Sequence, residues 1–212
     1  MVRNKKILLH ISVLTLVILI YCFSIGPMTL SGGELFRYKD WLFPVLGMIV
    51  VTYLFSAPSM RRNILMNPNW RSLFVLKNVL LIVGSLLIVY LSYKYVILID
   101  PFASSYAKRG IKYGIPHDYS LVILIAMITI GPLWEELYFR EVLLGQLRKY
   151  IPLWICIVPS ILLFGMLHLT YPLHAIVMGI VFTTAYLRTG SWVVSFVIHA
   201  SWNLYILLVS IL

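Results

Sequence analysis

Two adjacent carboxylates and an arginine, Glu135, Glu136 and Arg140, lie inside an otherwise apolar stretch of the 212-residue chain. Insertion scales put one charged side chain at the centre of a membrane helix at about 2.5 to 3.5 kcal/mol, so three within six positions require partners, a polar cavity, or both. On a helix, Glu136 and Arg140 are four apart with the acid N-terminal to the base, the better orientation for a neutralising pair. Glu135 is turned about 100° away, cannot easily share that arginine, and reads as the reactive carboxylate. The plainer alternative is a single buried ion cluster that holds helices together. Pro132, just upstream, breaks or kinks the helix before the acids, and backbone freed at membrane depth is tolerated where it lines a cavity or is covered by protein.

Five histidines are available for proton transfer. His168 follows Phe164 by four residues, so an aromatic ring packs beside the imidazole. His199 precedes Asn203 by four, which sets an imidazole and a carboxamide on one helical face, both able to donate to one point. Interhelical polar glue is the bland reading of that pair. His10 and His117 read as interfacial or loop residues, and His174, across a Tyr-Pro turn from His168, as a rim residue. One acid, two histidines and an asparagine make a plausible hydrolytic set: a carboxylate and imidazole to deprotonate water, with other donors to hold an oxyanion. A zinc site on Glu135, His168 and His199 is the alternative, since two histidines and a glutamate leave an open position on the metal, although no His-Glu-x-x-His helix is present. Ser195 and Ser201 flank His199 without a Gly-x-Ser-x-Gly turn, and serines in membrane helices usually bond their own backbone.

The elements that must position these residues are membrane helices. The chain is 61% hydrophobic and 11% charged, with a mean hydropathy of +0.96, far from the roughly 25% charged residues of a soluble domain. The fold class is therefore all-α: a polytopic transmembrane bundle of about seven spans, expected near 7–25, 41–57, 74–98, 120–145, 152–168, 173–187 and 192–211. No polar linker divides it, so 1–212 is one membrane domain, with N-terminal spans and loops over 1–119 and the motif-bearing core over 120–205. The longest polar stretch runs from Asp100 to Tyr119. Cys22 and Cys156 read as buried small hydrophobes, and the N-terminus as an uncleaved first span.

A net charge of +10 would suggest nucleic acid in a soluble protein, but here the basic residues sit in short loops and reflect topology. A cytoplasmic N-terminus collects Arg3, Lys5, Lys6, Arg61, Arg62, Arg71, Lys77, Arg148, Lys149 and Arg188 on the inner side, against Arg37, Lys39, Lys94, Lys108, Arg109 and Lys112 outside. That bias favours N-in and C-out.

Glu135-Glu136-x-x-x-Arg140, Phe164-x-x-x-His168 and His199-x-x-x-Asn203, in this order on successive helices, resemble the three motifs of the CPBP intramembrane proteases, the CAAX protease and bacteriocin-processing (Abi) family. Tyr186-Leu-Arg-Thr-Gly-Ser-Trp192, leading to His199, is similar to the stretch that precedes the family's third motif. The resemblance covers roughly residues 120–205. It implies a membrane endopeptidase in which Glu135 and His168 activate water while His199 and Asn203 form the oxyanion hole. It implies a metal-free glutamate mechanism or, alternatively, zinc. Glu141 departs from the pattern, since many relatives carry glycine there, and it sets a third acid beside Arg140. The expected substrate is a membrane-associated protein or peptide, a prenylated CAAX-type C-terminus or a bacteriocin or pheromone precursor, with the bilayer as the other partner and no nucleic acid. A bacterial plasma membrane is the expected location. The rivals are a non-catalytic bacteriocin-immunity or membrane scaffold protein, and a transporter, for which no inverted pair of broken segments is evident.

Overall fold

The computed structural model describes residues 7–20, 35–66, 68–103, 121–168 and 170–211. His117, most of the loop between Asp100 and Tyr119, Cys22 and the basic residues Arg3, Lys5, Lys6, Lys108, Arg109 and Lys112 lie outside the described residues.

Within them the architecture is all-helical. Helix α1 covers 7–20, α2 Leu35–Ser56, α3 Pro58–Met66 and, after a short 3-10 turn at Trp70–Phe74, α4 covers Leu76–Ile99. Then come α5 (Leu121–Ile128), α6 (Ile130–Glu136), a π-helical segment (Leu137–Gln146), α7 (Leu153–Leu167), α8 (Pro172–Thr189) and α9 (Trp192–Ile211). A helix thus occupies each stretch expected to span. Among the described residues, length and apolarity together qualify three segments to cross a bilayer, Leu76–Ile99, Leu121–Gln146 and Trp192–Ser210, and three shorter helices are apolar: Ile7–Ile20, Pro44–Ser56 and Leu153–Leu167.

Burial runs opposite to that of a soluble bundle. On α4 the buried positions include Asn78, Ser85 and Ser92, seven residues apart, while Leu80, Leu87, Leu91 and Leu98 face outward. Lipid is as apolar as leucine, so packing between membrane helices selects small and polar side chains that allow close approach. This polar stripe meets α8, which also packs on α7.

The segment bearing the acids lies at the centre. Thr129 interrupts the helix three residues before Pro132, where the missing N–H of proline opens the backbone. Beyond Glu136 the chain widens into i→i+5 turns, an arrangement frequent at functional sites. Every residue from Leu137 to Gln146 is buried, as expected of a helix with neighbours on all sides. It packs against α3, α7 and α9, and a Thr15–Tyr138 hydroxyl pair at 2.7 Å ties it to α1. Two glycines permit close contacts between the helices around it. A Cβ on Gly47 would collide with the indole of Trp134, and one on Gly165 would stand 2.7 Å from Ile176.

Candidate active site

Glu136 sits at the junction of α6 and the π segment, with no measurable exposure. Its Oε2 lies 3.2 Å from Arg140 Nε, and its Oε1 accepts a hydrogen bond from His199 Nδ1 at 3.0 Å. Glu136 is therefore committed on both oxygens. Arg140, equally buried, directs its guanidinium into an aromatic cage, 4.9 Å from the ring centroid of Phe164, 5.5 Å from Phe182 and 5.7 Å from Phe139. Cation–π attraction, stronger when desolvated, replaces hydration that the bilayer cannot supply.

Glu141 is engaged further along the segment. The π-turn places residue i beside i+5, and Glu141 Oε1 accepts from Gln146 Nε2 at 3.1 Å, while Gln146 Oε1 accepts from Lys149 Nζ at 2.8 Å. The third acid therefore belongs to a separate polar chain that ends at an exposed lysine. Sequence reasoning had no access to Gln146, because a five-residue spacing carries no meaning on an ordinary α-helix.

Glu135 differs from Glu136, whose two oxygens each face a nitrogen, at 3.2 and 3.0 Å. It is 2% exposed, and its Oε2 is buried without a hydrogen-bond partner. Structure alone rarely retains so costly a group.

His168 caps the C-terminus of α7. Its Nδ1 bonds the Phe164 carbonyl at 2.9 Å, and since a carbonyl only accepts, Nδ1 carries the proton and a neutral ring leaves a lone pair on Nε2. Phe164 also lies against the ring, with centroids 4.8 Å apart. The same phenyl stands 5.7 Å from His199, and His199 stacks on Phe182 at 4.8 Å. Phe164 is thus shared by Arg140, His168 and His199. Asn203, one turn along α9 from His199, donates its Nδ2 to the Met127 carbonyl at 2.9 Å, which ties α9 to the backbone just before the Pro132 kink and leaves the second amide hydrogen available. Ser195 donates to the Trp192 carbonyl at 2.9 Å, the backbone bond expected of a membrane-helix serine.

Two residues stand differently from their sequence reading. His174 is no rim residue: it is 1% exposed, because α8 begins inside the bundle against α4. Its Nδ1 bonds Ser92 Oγ at 2.8 Å. Asp100, which carried no signal beyond opening a polar loop, is fully buried and accepts the Leu173 backbone N–H at 2.8 Å. It supplies from α4 the N-terminal cap that α8 lacks locally. His10 bonds the Tyr53 hydroxyl at 2.6 Å, apart from the acids.

Among the described residues, no three His, Cys, Asp or Glu side chains are placed to share one ion. Nothing among the curated proteins or the solved structures matches the chain. Residues 117–205 match the family model described as type II CAAX prenyl endopeptidase Rce1-like, a stretch that begins before α5 and ends two residues after Asn203. The matched stretch carries Glu135, Glu136, Arg140, His168, His199 and Asn203 together, and over it the chain is similar to the Rce1-like type II CAAX prenyl endopeptidases.

Proposed function

We propose that hydrolysis runs through a water molecule held between Glu135 and His168. Glu135 accepts a proton from the water, assisted by the lone pair on His168 Nε2, and the nascent hydroxide attacks the scissile carbonyl. Asn203 and His199 stabilise the resulting oxyanion, Asn203 through the amide hydrogen not used on Met127 and His199 through Nε2–H. Because His199 Nδ1 already faces Glu136, that role calls for the imidazolium form. Collapse of the intermediate returns the proton from Glu135 to the leaving amine. No metal enters this scheme.

The observation that carries the reading is the contrast between neighbours. Glu136 is occupied on both oxygens, whereas Glu135 is equally buried with an oxygen that nothing holds.

The proposed substrate is a prenylated CAAX-type C-terminus, supported by the similarity of residues 117–205 to type II CAAX prenyl endopeptidases. Lipid-anchored peptide reaches the site from the cytoplasmic half of a plasma membrane, with the N-terminus inside and the C-terminus outside, as the distribution of basic residues favours. The test is cleavage of a farnesylated CAAX peptide by the purified protein in detergent, beside an unprenylated pheromone-type precursor. The wild type is expected to cut the prenylated peptide, and Glu135→Gln to be folded and inactive. A Glu135→Gln protein that cleaves normally would end this assignment.

A further inference from the structure

His174 is a buried imidazole that the hydrolytic scheme leaves unused. Its Nδ1 faces Ser92 Oγ at 2.8 Å. Ser92 is itself buried and makes no other hydrogen bond among the described residues. With no other acceptor bonded to the serine hydroxyl, its proton is placed on the bond to Nδ1 and the ring proton on Nε2. That Nε2 has no hydrogen-bond partner. Native structures leave few buried donors unpaired, and each calls for a water, an ion or a ligand.

The ring is not free to move elsewhere. Tyr93, Tyr171 and Trp202 wall it at centroid distances of 5.9, 5.8 and 5.5 Å. Asp100 pins the backbone one residue earlier by accepting the Leu173 N–H. Nor is it remote from His168. Tyr171 stands 5.6 Å from His168 on its other side. Trp202 immediately precedes Asn203 on α9. A rigid neutral donor beside a peptidase site matches the group an extended peptide offers in every residue, a backbone carbonyl.

We propose that His174 Nε2–H is a substrate-binding donor that takes a backbone carbonyl of the bound peptide, with Ser92 fixing the tautomer and Asp100 fixing the position. The proposal rests on the peptidase reading above and adds a binding contact on α8, outside the three motifs.

Two measurements on the full-length protein in detergent test it. The first needs no substrate: nitrogen NMR of histidine-labelled protein, with the His174 signal assigned by its loss in His174→Gln, is expected to show the proton on Nε2. A proton on Nδ1 overturns the proposal. The second compares steady-state cleavage of the farnesylated CAAX peptide by wild type, His174→Phe and His174→Gln, each checked for folding by its melting curve. Losing one neutral hydrogen bond predicts that His174→Phe raises KM by about 3- to 10-fold with kcat nearly unchanged. His174→Gln keeps an amide donor and is expected to recover most of that loss. An unchanged KM in a folded His174→Phe, or a fall confined to kcat, overturns the proposal. Where His174→Phe does not fold, a folded His174→Gln decides, its KM near wild type in support and a 10-fold rise against. A wild type that cuts no prenylated peptide defeats the functional reading instead, and the tautomer then decides for His174.

Discussion

Replacing Glu136 by glutamine should unfold the centre of the protein rather than merely silence it. The variant keeps the shape and an Oε1 that still accepts from His199 Nδ1, now 3.0 Å from Glu136. It removes the charge facing Arg140 Nε at 3.2 Å. Arg140 is 1% exposed, and among the described residues Glu136 is the acid that stands at ion-pair distance from it. Breaking a buried pair from one side costs about 3 to 5 kcal/mol. The three phenyl rings remain and soften the loss by about 0.5 to 2 kcal/mol, so the lower end applies. At about 2 to 4 °C per kcal/mol for a chain of this size, the melting temperature in detergent should fall by roughly 6 to 12 °C. The double variant Glu136→Gln/Arg140→Met removes both charges and should regain most of the loss, since apolar replacement of a complete buried pair is often neutral. The assay is a thermal melt of the four corners of this cycle, with purified yield as a second readout. A Glu136→Gln protein that melts with the wild type, or a double variant no better than the single, would refute the view that Glu136 holds a buried arginine.

Asn203→Ala should reduce kcat by about 10²- to 10³-fold through loss of an oxyanion donor, and also destabilise by about 0.5 to 1.5 kcal/mol through loss of the bond to Met127; turnover and melting measured together separate the two. Asp100→Ala removes a charged acceptor from the start of α8 and should cost about 1.5 to 3 kcal/mol, with Asp100→Asn recovering part of it in the same melt. Peptide cleavage should survive exhaustive chelation in detergent. Activity lost to chelator and restored by stoichiometric zinc would move Glu135, His168 and His199 into ligand roles.

What the sequence determined by itself rests on short-range helical geometry and on the cost of charge in lipid. A four-residue spacing was enough to pair Glu136 with Arg140 and to lay Phe164 against His168, because i and i+4 are neighbours on any helix whatever surrounds it. Apolar length located the helices, since an unpaired backbone has no place in hydrocarbon. The tertiary structure alone decided the rest. The π-turns that join Glu141 to Gln146 depend on a segment buried on every side, where packing sets the backbone pitch. Asn203 reaches Met127 across seventy-six residues. Asp100 reaches Leu173 across seventy-three. Both are single hydrogen bonds between distant helices, and no periodicity announces them. His174 shows the same limit in reverse: a histidine two residues past a proline turn reads as surface until the helix it opens is seen to begin inside the bundle, where burial is set by neighbours contributed from α4 and α9.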